Sequence, residues 1–151
     1  MGDRLTQEQR RRCMSSIKNK DSTPEMVVRK GLHKLGLRYR LHAKNLPGTP
    51  DLVFTKYRTV LFVHGCFWHK HDCYKFSMPA TRTDFWQNKL KHNKLRDERN
   101  IAILREIGWR VIIIWECAIS GKKRQKQELL LNKIFNAIKH NSQVIYELRG
   151  E

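Results

Sequence analysis

Apolar residues in this chain fall into short periodic runs separated by Gly, Pro and basic stretches. Val28, Leu32 and Leu35 recur at i, i+4 and i+7, the spacing of one helix face. Ser22 with Glu25 three positions later is a capping-box pattern, Pro24 suits a first turn, and Gly36 suits the turn that ends the helix. Upstream, Thr6 to Asn19 reads as a basic helix carrying Arg10, Arg11 and Arg12, with thin apolar content. Arg38 to Leu41 predicts a short strand. Beyond the turn Leu46-Pro47-Gly48-Thr49-Pro50, Asp51 to Phe54 predicts a second and Val60 to Val63 a buried third. Lys56-Tyr57-Arg58 joins these last two tightly, which predicts an antiparallel hairpin. A long helix follows from about Asp84 to Ile107, with Thr83 as its cap and Gly108 just past its end. Its outer face is basic: Lys89, Lys91, Lys94, Arg96 and Arg99. Val111 to Ile114, between Trp109 and Trp115, predicts a fully buried strand. A basic loop over Ser120 to Lys126, an amphipathic helix through Leu129, Leu130, Ile134 and Ile138, and a short strand over Val144 to Tyr146 complete the chain. The order α, α, β, β, β, α, β, α predicts an α/β fold with a mixed sheet flanked by helices. Without repeats or a separating linker, residues 1–151 read as one domain.

Charge narrows the class. The 151 residues carry 31 Lys+Arg against 14 Asp+Glu, a formal +17. A hydrophobic fraction of 40% with 9% aromatics excludes a disordered polybasic tail, so the charge belongs to a folded protein and points to a polyanion. No apolar run approaches the roughly 18 residues of a membrane span, and Met1 to Arg12 lacks a signal-peptide core. The expectation is a soluble, cytoplasmic protein, in which Cys13, Cys66, Cys73 and Cys117 are thiols or metal ligands before they are disulfides.

The chemistry concentrates in one window. His64, Cys66, His69, His71 and Cys73 fall within ten residues, where even spreading of the chain's 4 Cys and 7 His would put about one. Cys66-x4-His71-x-Cys73 offers the thiolates and imidazole that Zn²⁺ prefers, and Cys117, just past the buried strand, is the available fourth ligand. A Cys₃His set would be a closed, structural zinc site. Cys13 reads as a packed small residue, and His33, His42, His92 and His140 read as surface residues. His64 and His69 remain unassigned. Asp51 begins a strand after Pro50, and in an antiparallel hairpin it would lie beside the end of the next strand, near His64. A carboxylate for Mg²⁺ and an imidazole for a proton, on a polyanion-binding protein, suit metal-assisted phosphodiester hydrolysis. The competing reading is an aspartate that only starts a strand.

Pro50-Asp51, the turn and Val60-Leu61-Phe62-Val63-His64 resemble the hairpin of PD-(D/E)xK nucleases, with Phe-x-His in place of acidic-x-Lys. The run Phe62 to His69 with His71 and Cys73, the segment Pro79-Ala80-Thr81-Arg82-Thr83-x-Phe85-Trp86, the segment from Gly108 to Cys117, and Leu46-Pro47-Gly48 are similar to the very short patch repair endonucleases. The likeness covers roughly Thr6 to Lys122. It implies a restriction-endonuclease-like fold with an added structural zinc, and a strand-specific nick beside a thymine mispaired with guanine, the lesion left when 5-methylcytosine deaminates. It implies catalytic Mg²⁺, two ions, held by Asp51 and the backbone carbonyl of Val63. His64 and His69 match the catalytic histidines, Glu25 a glutamate near the metals through water, and Asp97 a residue that orients a histidine. Cys66, His71, Cys73 and Cys117 match the zinc ligands. Phe67, Trp68 and Trp86 match aromatics that wedge into the duplex, a role that suits a mismatched step because it unstacks at lower cost. Core packing is the other reading of Phe67 and Trp68, and remains the better one for Trp109 and Trp115. The chain departs from the family at Lys70 and Asp72, where further histidines can stand.

The partners implied are double-stranded DNA with a T·G mismatch, gripped at phosphates by Arg10 to Arg12, the Lys89 face and Lys122 to Lys126, and functionally a cytosine-5 DNA methyltransferase and mismatch-repair proteins. A monomer suits so asymmetric a target. Three rivals remain at the level of sequence: a sequence-specific restriction endonuclease, a zinc-stabilised nucleic-acid-binding module without catalysis and, less favoured, an RNA-binding protein.

Overall fold

The computed structural model describes residues 21–140 and 144–151. The predicted helix over Thr6 to Asn19, with Arg10, Arg11 and Arg12, lies outside the described residues.

Helix α1 spans Thr23–Lys34 and is capped as the sequence predicts: the Ser22 side chain accepts the Glu25 N–H at 3.4 Å, with Pro24 in the first turn. The reciprocal half of the capping box is displaced by one residue, because the Glu25 carboxylate accepts the N–H of Asp21 at 3.2 Å. At the other end Gly36 (φ +101°) turns the chain, and Gly36 N–H and Leu37 N–H bond back to His33 O and Leu32 O at 3.0 and 3.1 Å. This reversal corrects one core assignment. Val28 and Leu32 are buried, but Leu35 is 42% exposed and Leu37, carried back by the turn, is buried.

Five strands form one mixed sheet in the order β1 (Arg40–Leu41), β2 (Leu52–Phe54), β3 (Thr59–His64), β4 (Arg110–Trp115) and β5 (Ile145–Leu148). β1–β2 and β2–β3 are antiparallel, whereas β3–β4 and β4–β5 are parallel. The β2–β3 hairpin matches expectation, its connection being a 3₁₀ turn over Thr55–Tyr57 with Arg58 in the left-handed region (φ +49°). Register then fixes the site. Leu52 pairs with Leu61, so Asp51 falls beside the Phe62–Val63 end of β3. His64 pairs with Trp115, so β3 and β4 end level with each other.

Alternate residues of the central strands feed two cores, which is why β3 and β4 read as unbroken apolar runs. Leu61, Ile112 and Ile114 pack with α1 and with α4 (Gln127–His140). Val60, Phe62, Val111 and Ile113 pack on the other face with Leu104 of α2 (Thr83–Glu106). Each fully buried aliphatic side chain contributes roughly 1.5–3 kcal/mol. α2 buries only Leu90 and Leu104, leaving Lys89, Lys91, Lys94, Arg96 and Arg99 exposed as expected. Arg82, not Thr83, occupies the cap of α2, in a left-handed conformation, and the Thr83 hydroxyl donates to Pro79 O at 3.0 Å. Leu129, expected in the core, is 55% exposed, and Leu131 packs in its stead. A short helix α3 (Glu116–Ile119), absent from the sequence reading, follows β4 directly and carries Cys117. No helix among the described residues is long and apolar enough to cross a membrane.

Candidate active site

At the ends of β2 and β3 the backbone N–H of Val63 donates to the Asp51 carboxylate at 2.7 Å. Glu25, at the start of α1, is 2% exposed and brings a second carboxylate against the first. Burial raises the Asp51 pKa to about 7, opposed by the Val63 N–H and reinforced by the Glu25 charge and hydrogen bond. Two buried carboxyls in contact without a cation behave this way, and the pair together with backbone oxygen is the hard donor set that Mg²⁺ takes. Glu25 is itself held by Arg29 at 3.0 Å and by His42 Nε2 at 2.9 Å. His42 is thereby corrected from a surface residue to part of this constellation, while His33, His92 and His140 are exposed.

Across the same cleft the rings of His64 and His69 stack at 3.8 Å and 5°. His69 Nδ1 is hydrogen-bonded to the Asp97 carboxylate, which projects from α2. His64 is 6% exposed, and its Nδ1 has no hydrogen-bond partner among the described residues. Burial first, and then the neighbouring His69 and His71, holds its pKa well below that of a free imidazole, so the ring is neutral. The cleft, of ≈ 680 Å³, is lined by Glu25, Asp51, Val63, His64 and His69, and from α2 by Lys89, Asn93 and Arg96. It lies at the carboxyl ends of β3 and β4, where open α/β sheets place their ligands.

The four predicted zinc ligands converge next door. One donor atom each from Cys66, His71, Cys73 and Cys117 lies within 4.8 Å of the others, and all three cysteines are thiols. Cys117 Sγ and His71 Nδ1 are 3.6 Å apart. Bonds of about 2.3 Å to sulfur and about 2.0–2.1 Å to nitrogen would separate tetrahedral ligands by about 3.5 Å, so the residues fit the ion. Burial pushes the Cys66 thiol up and lowers His71 to about 4, as for a cluster whose compensating cation supplies the charge. Trp115, read as a core residue, stacks on His71 at 3.9 Å and meets His64 edge-on at 5.2 Å, so it separates the cluster from the histidine pair. Trp109 agrees with its core reading, packing against the second core with Arg58 over its ring at 4.5 Å.

Phe67, Trp68 and Trp86 meet in one half-exposed group, with centroids 5.2 to 5.8 Å apart. None is buried, which disfavours core packing. Phe76 and Phe85 extend the group; Phe85 entered the sequence reading only as part of the segment Pro79 to Trp86, and Phe76 was not read, because its approach depends on how the loop folds. Asn93 of α2 anchors this loop by donating to Trp68 O at 3.2 Å.

Comparison with known proteins places the chain in a family. The profile of the family described as DNA mismatch endonuclease Vsr matches residues 2–75. The chain is 50% identical over 120 residues to the "Type II nicking enzyme V.XorIIP" of Xanthomonas oryzae pv. oryzae, covering 80% of this chain and 88% of that protein. It is 43% identical over 134 residues to the "DNA mismatch endonuclease Vsr" of Escherichia coli, covering 89% and 86%, and 41% identical over 140 residues to the "Type II nicking enzyme V.NmeAIP" of Neisseria meningitidis, covering 91% and 100%. With identity of this order across most of both chains, the protein belongs to the Vsr family of DNA mismatch endonucleases.

Proposed function

We propose that the protein is a Mg²⁺-dependent, strand-specific nickase for T·G mismatches left by deamination of 5-methylcytosine. In this reading residues 1–151 form one restriction-endonuclease-like domain with a structural zinc, act as a monomer on duplex DNA in the cytoplasm, and serve repair downstream of a cytosine-5 methyltransferase together with mismatch-repair proteins. The observation that carries the proposal is the meeting of Asp51 and Glu25 with His64 and His69 in one cleft, His69 backed by Asp97, beside half-exposed aromatics.

Asp51, the Val63 carbonyl and, through water, Glu25 would hold the metal, two ions on the family pattern. When bound, Mg²⁺ supplies positive charge that neutralises the phosphate and favours ionisation of water. The remaining chemistry belongs to side chains. Asp97 accepts from Nδ1–H of His69, which leaves Nε2 with its lone pair towards the reaction, so His69 takes the proton from the attacking water. Neutral His64, with a buried, bare Nδ1, carries its proton on Nε2 and donates it as a hydrogen bond to the phosphate. Water, giving up its proton to His69, adds to phosphorus; the bond to the 3′ oxygen breaks and that oxygen takes a proton from solvent, giving 5′-phosphate and 3′-hydroxyl ends. Cys66, His71, Cys73 and Cys117 would hold the zinc.

Lys89 and Arg96 line the cleft and supply phosphate contacts, with Lys122 to Lys126 and the arginines of residues 1–20 adding to the grip. Lesion choice falls to Phe67, Trp68 and Trp86. Across a panel of T·G duplexes with varied flanks and their matched T·A and C·G counterparts, nicking of the T strand at T·G should exceed matched cleavage by about 100-fold, because a mismatched step unstacks a few kcal/mol more easily. Equal cutting of both strands of matched DNA would sink the repair reading in favour of a restriction endonuclease. Replacing Phe67 and Trp68 together by Ala should reduce the T·G preference about 30-fold or more, removing most of it, from stacking of roughly 1–3 kcal/mol for each of the two rings. Zinc content and melting temperature should stay near the parent's, since neither ring is in the core. Unfolding of that variant would return the pair to a packing role.

A further inference from the structure

We infer that His42 is a positioning residue for the acidic pair, fixing Glu25 against Asp51 in the arrangement that a divalent cation takes up. This rests on the reading of Asp51 and Glu25 as the cation site. His42 touches both members. Its Nε2 lies 2.9 Å from Glu25 Oε2, and its backbone N–H donates to the Asp51 carbonyl at 3.0 Å, continuing the β1–β2 pairing beyond the strand ends. Glu25 is 2% exposed and comes from a different element, α1, so nothing in the sheet itself fixes its carboxylate relative to Asp51.

Three donors do so. Asp21 N–H reaches Oε1, while Arg29 and His42 reach Oε2. Arg29 is shared, bonding also to Asp21 Oδ1 at 2.6 Å, and Asp21 is 45% exposed, so this cation is partly committed to a side chain in solvent. His42 is far less divided, since Asp21 Oδ1 is 3.9 Å from the nitrogen that lies 2.9 Å from Glu25. It is thus the donor that ties Glu25 to the strand bearing Asp51. A hydrogen-bonded partner behind a metal-binding carboxylate sets its orientation, and its loss usually costs 10- to 100-fold in metal affinity or activity.

Two substitutions of similar size separate the donor from packing. His42→Gln keeps an N–H at nearly the same reach, while His42→Leu removes it. Manganese binding, followed by electron paramagnetic resonance on the zinc-loaded protein with a T·G duplex whose scissile phosphate resists hydrolysis, reads the site without turnover. His42→Leu should weaken Mn²⁺ binding about tenfold and raise the Mg²⁺ concentration for half-maximal nicking of ordinary duplex to match. His42→Gln should stay within about threefold of the parent, and DNA affinity in EDTA should be unchanged for both. Equal weakening by Gln and Leu, or lower melting temperatures with Mn²⁺ affinity intact, would overturn the inference. Should His42→Leu fail to fold, His42→Ala makes the same comparison. Asp51→Asn serves as the reference: if it too leaves Mn²⁺ binding intact, the cation-site reading itself fails and the role of His42 with it. If it abolishes binding while His42→Leu does not weaken it, only the role of His42 falls.

Discussion

Asp51→Asn should lower single-turnover nicking of a T·G duplex by at least about 10³-fold while the protein binds that duplex almost as tightly as before. Removing one charged partner of a transition-state electrostatic site typically costs about 10²–10³ in rate, and a direct metal ligand stands at the upper end of that range. The substitution is nearly isosteric, and the Asn oxygen can still accept the Val63 N–H, now 2.7 Å from the carboxylate. Folding should not suffer. In the metal-free protein the Asp51 pKa is raised to about 7, chiefly by burial. Its folded value lies above that of an unfolded aspartate, so the group's contribution to stability is fully present below about pH 4 and is lost as pH rises through about 7. A neutral amide avoids that loss. Above pH 7 in EDTA, Asp51→Asn should therefore melt at the same temperature as the parent or higher. Calorimetric melting with gel-shift binding and nicking assays checks all three expectations. Nicking that persists in this variant would show that catalysis does not depend on Asp51 and would leave the cleft incidental to it.

Much of this cleft was legible in the sequence for a simple reason: its elements are local. Cys66, His69, His71 and Cys73 sit in one loop, and a tight hairpin brings Asp51 to the end of β3 whatever the rest of the chain does. Asp97 was reached only through family likeness, because its contact with His69 spans 28 positions and arises from how α2 lies across the sheet. His42 was missed for the same reason. Its meaning depends on β1 pairing with β2 and on the start of α1 standing over both, and neither leaves a periodic signal. Trp115 has the composition of a core residue and packs partly as one, yet parallel register sets it level with His64, where it also faces His71. The errors at Leu35 and Leu129 have a common cause. Periodicity identifies a helix face, but helix ends and the turn beyond them decide which marginal residue is covered.

The second large effect concerns the Cys₃His cluster, proposed to hold zinc. Stripping the metal with a strong chelator, or replacing Cys73 by Ser, should leave most of the sheet and helices in place yet reduce nicking by about 100-fold or more. The two cores are built from strands β2 to β5 with α1, α2 and α4, and contain neither His71 nor Cys73. The loop between Cys66 and Cys73 has no such support. Its backbone hydrogen bonds are short-range, from His69 to Gly65, Lys70 to Phe67 and His71 to Cys66, and Lys70 takes a left-handed conformation (φ +50°). Within this stretch stand His69, Phe67 and Trp68, so the proposed general base and two proposed wedge aromatics share one tether. Without a metal, what holds His69 to the rest of the fold is its bond to Asp97 and its ring contacts with His64 and Trp115, and what holds Trp68 is the Asn93 contact to its carbonyl and its ring contact with Trp86. A displacement of about 1 Å at a catalytic group is enough for a hundredfold loss. Far-ultraviolet circular dichroism should therefore change little, while zinc stoichiometry falls from one per chain to none and nicking is lost. Restoring Zn²⁺ should recover activity in the chelated parent but not in Cys73→Ser. A zinc-free protein that nicks T·G duplexes at the parent rate would show that Asp97 and the ring stack suffice to place His69, and that the Cys₃His cluster has no part in ordering the site.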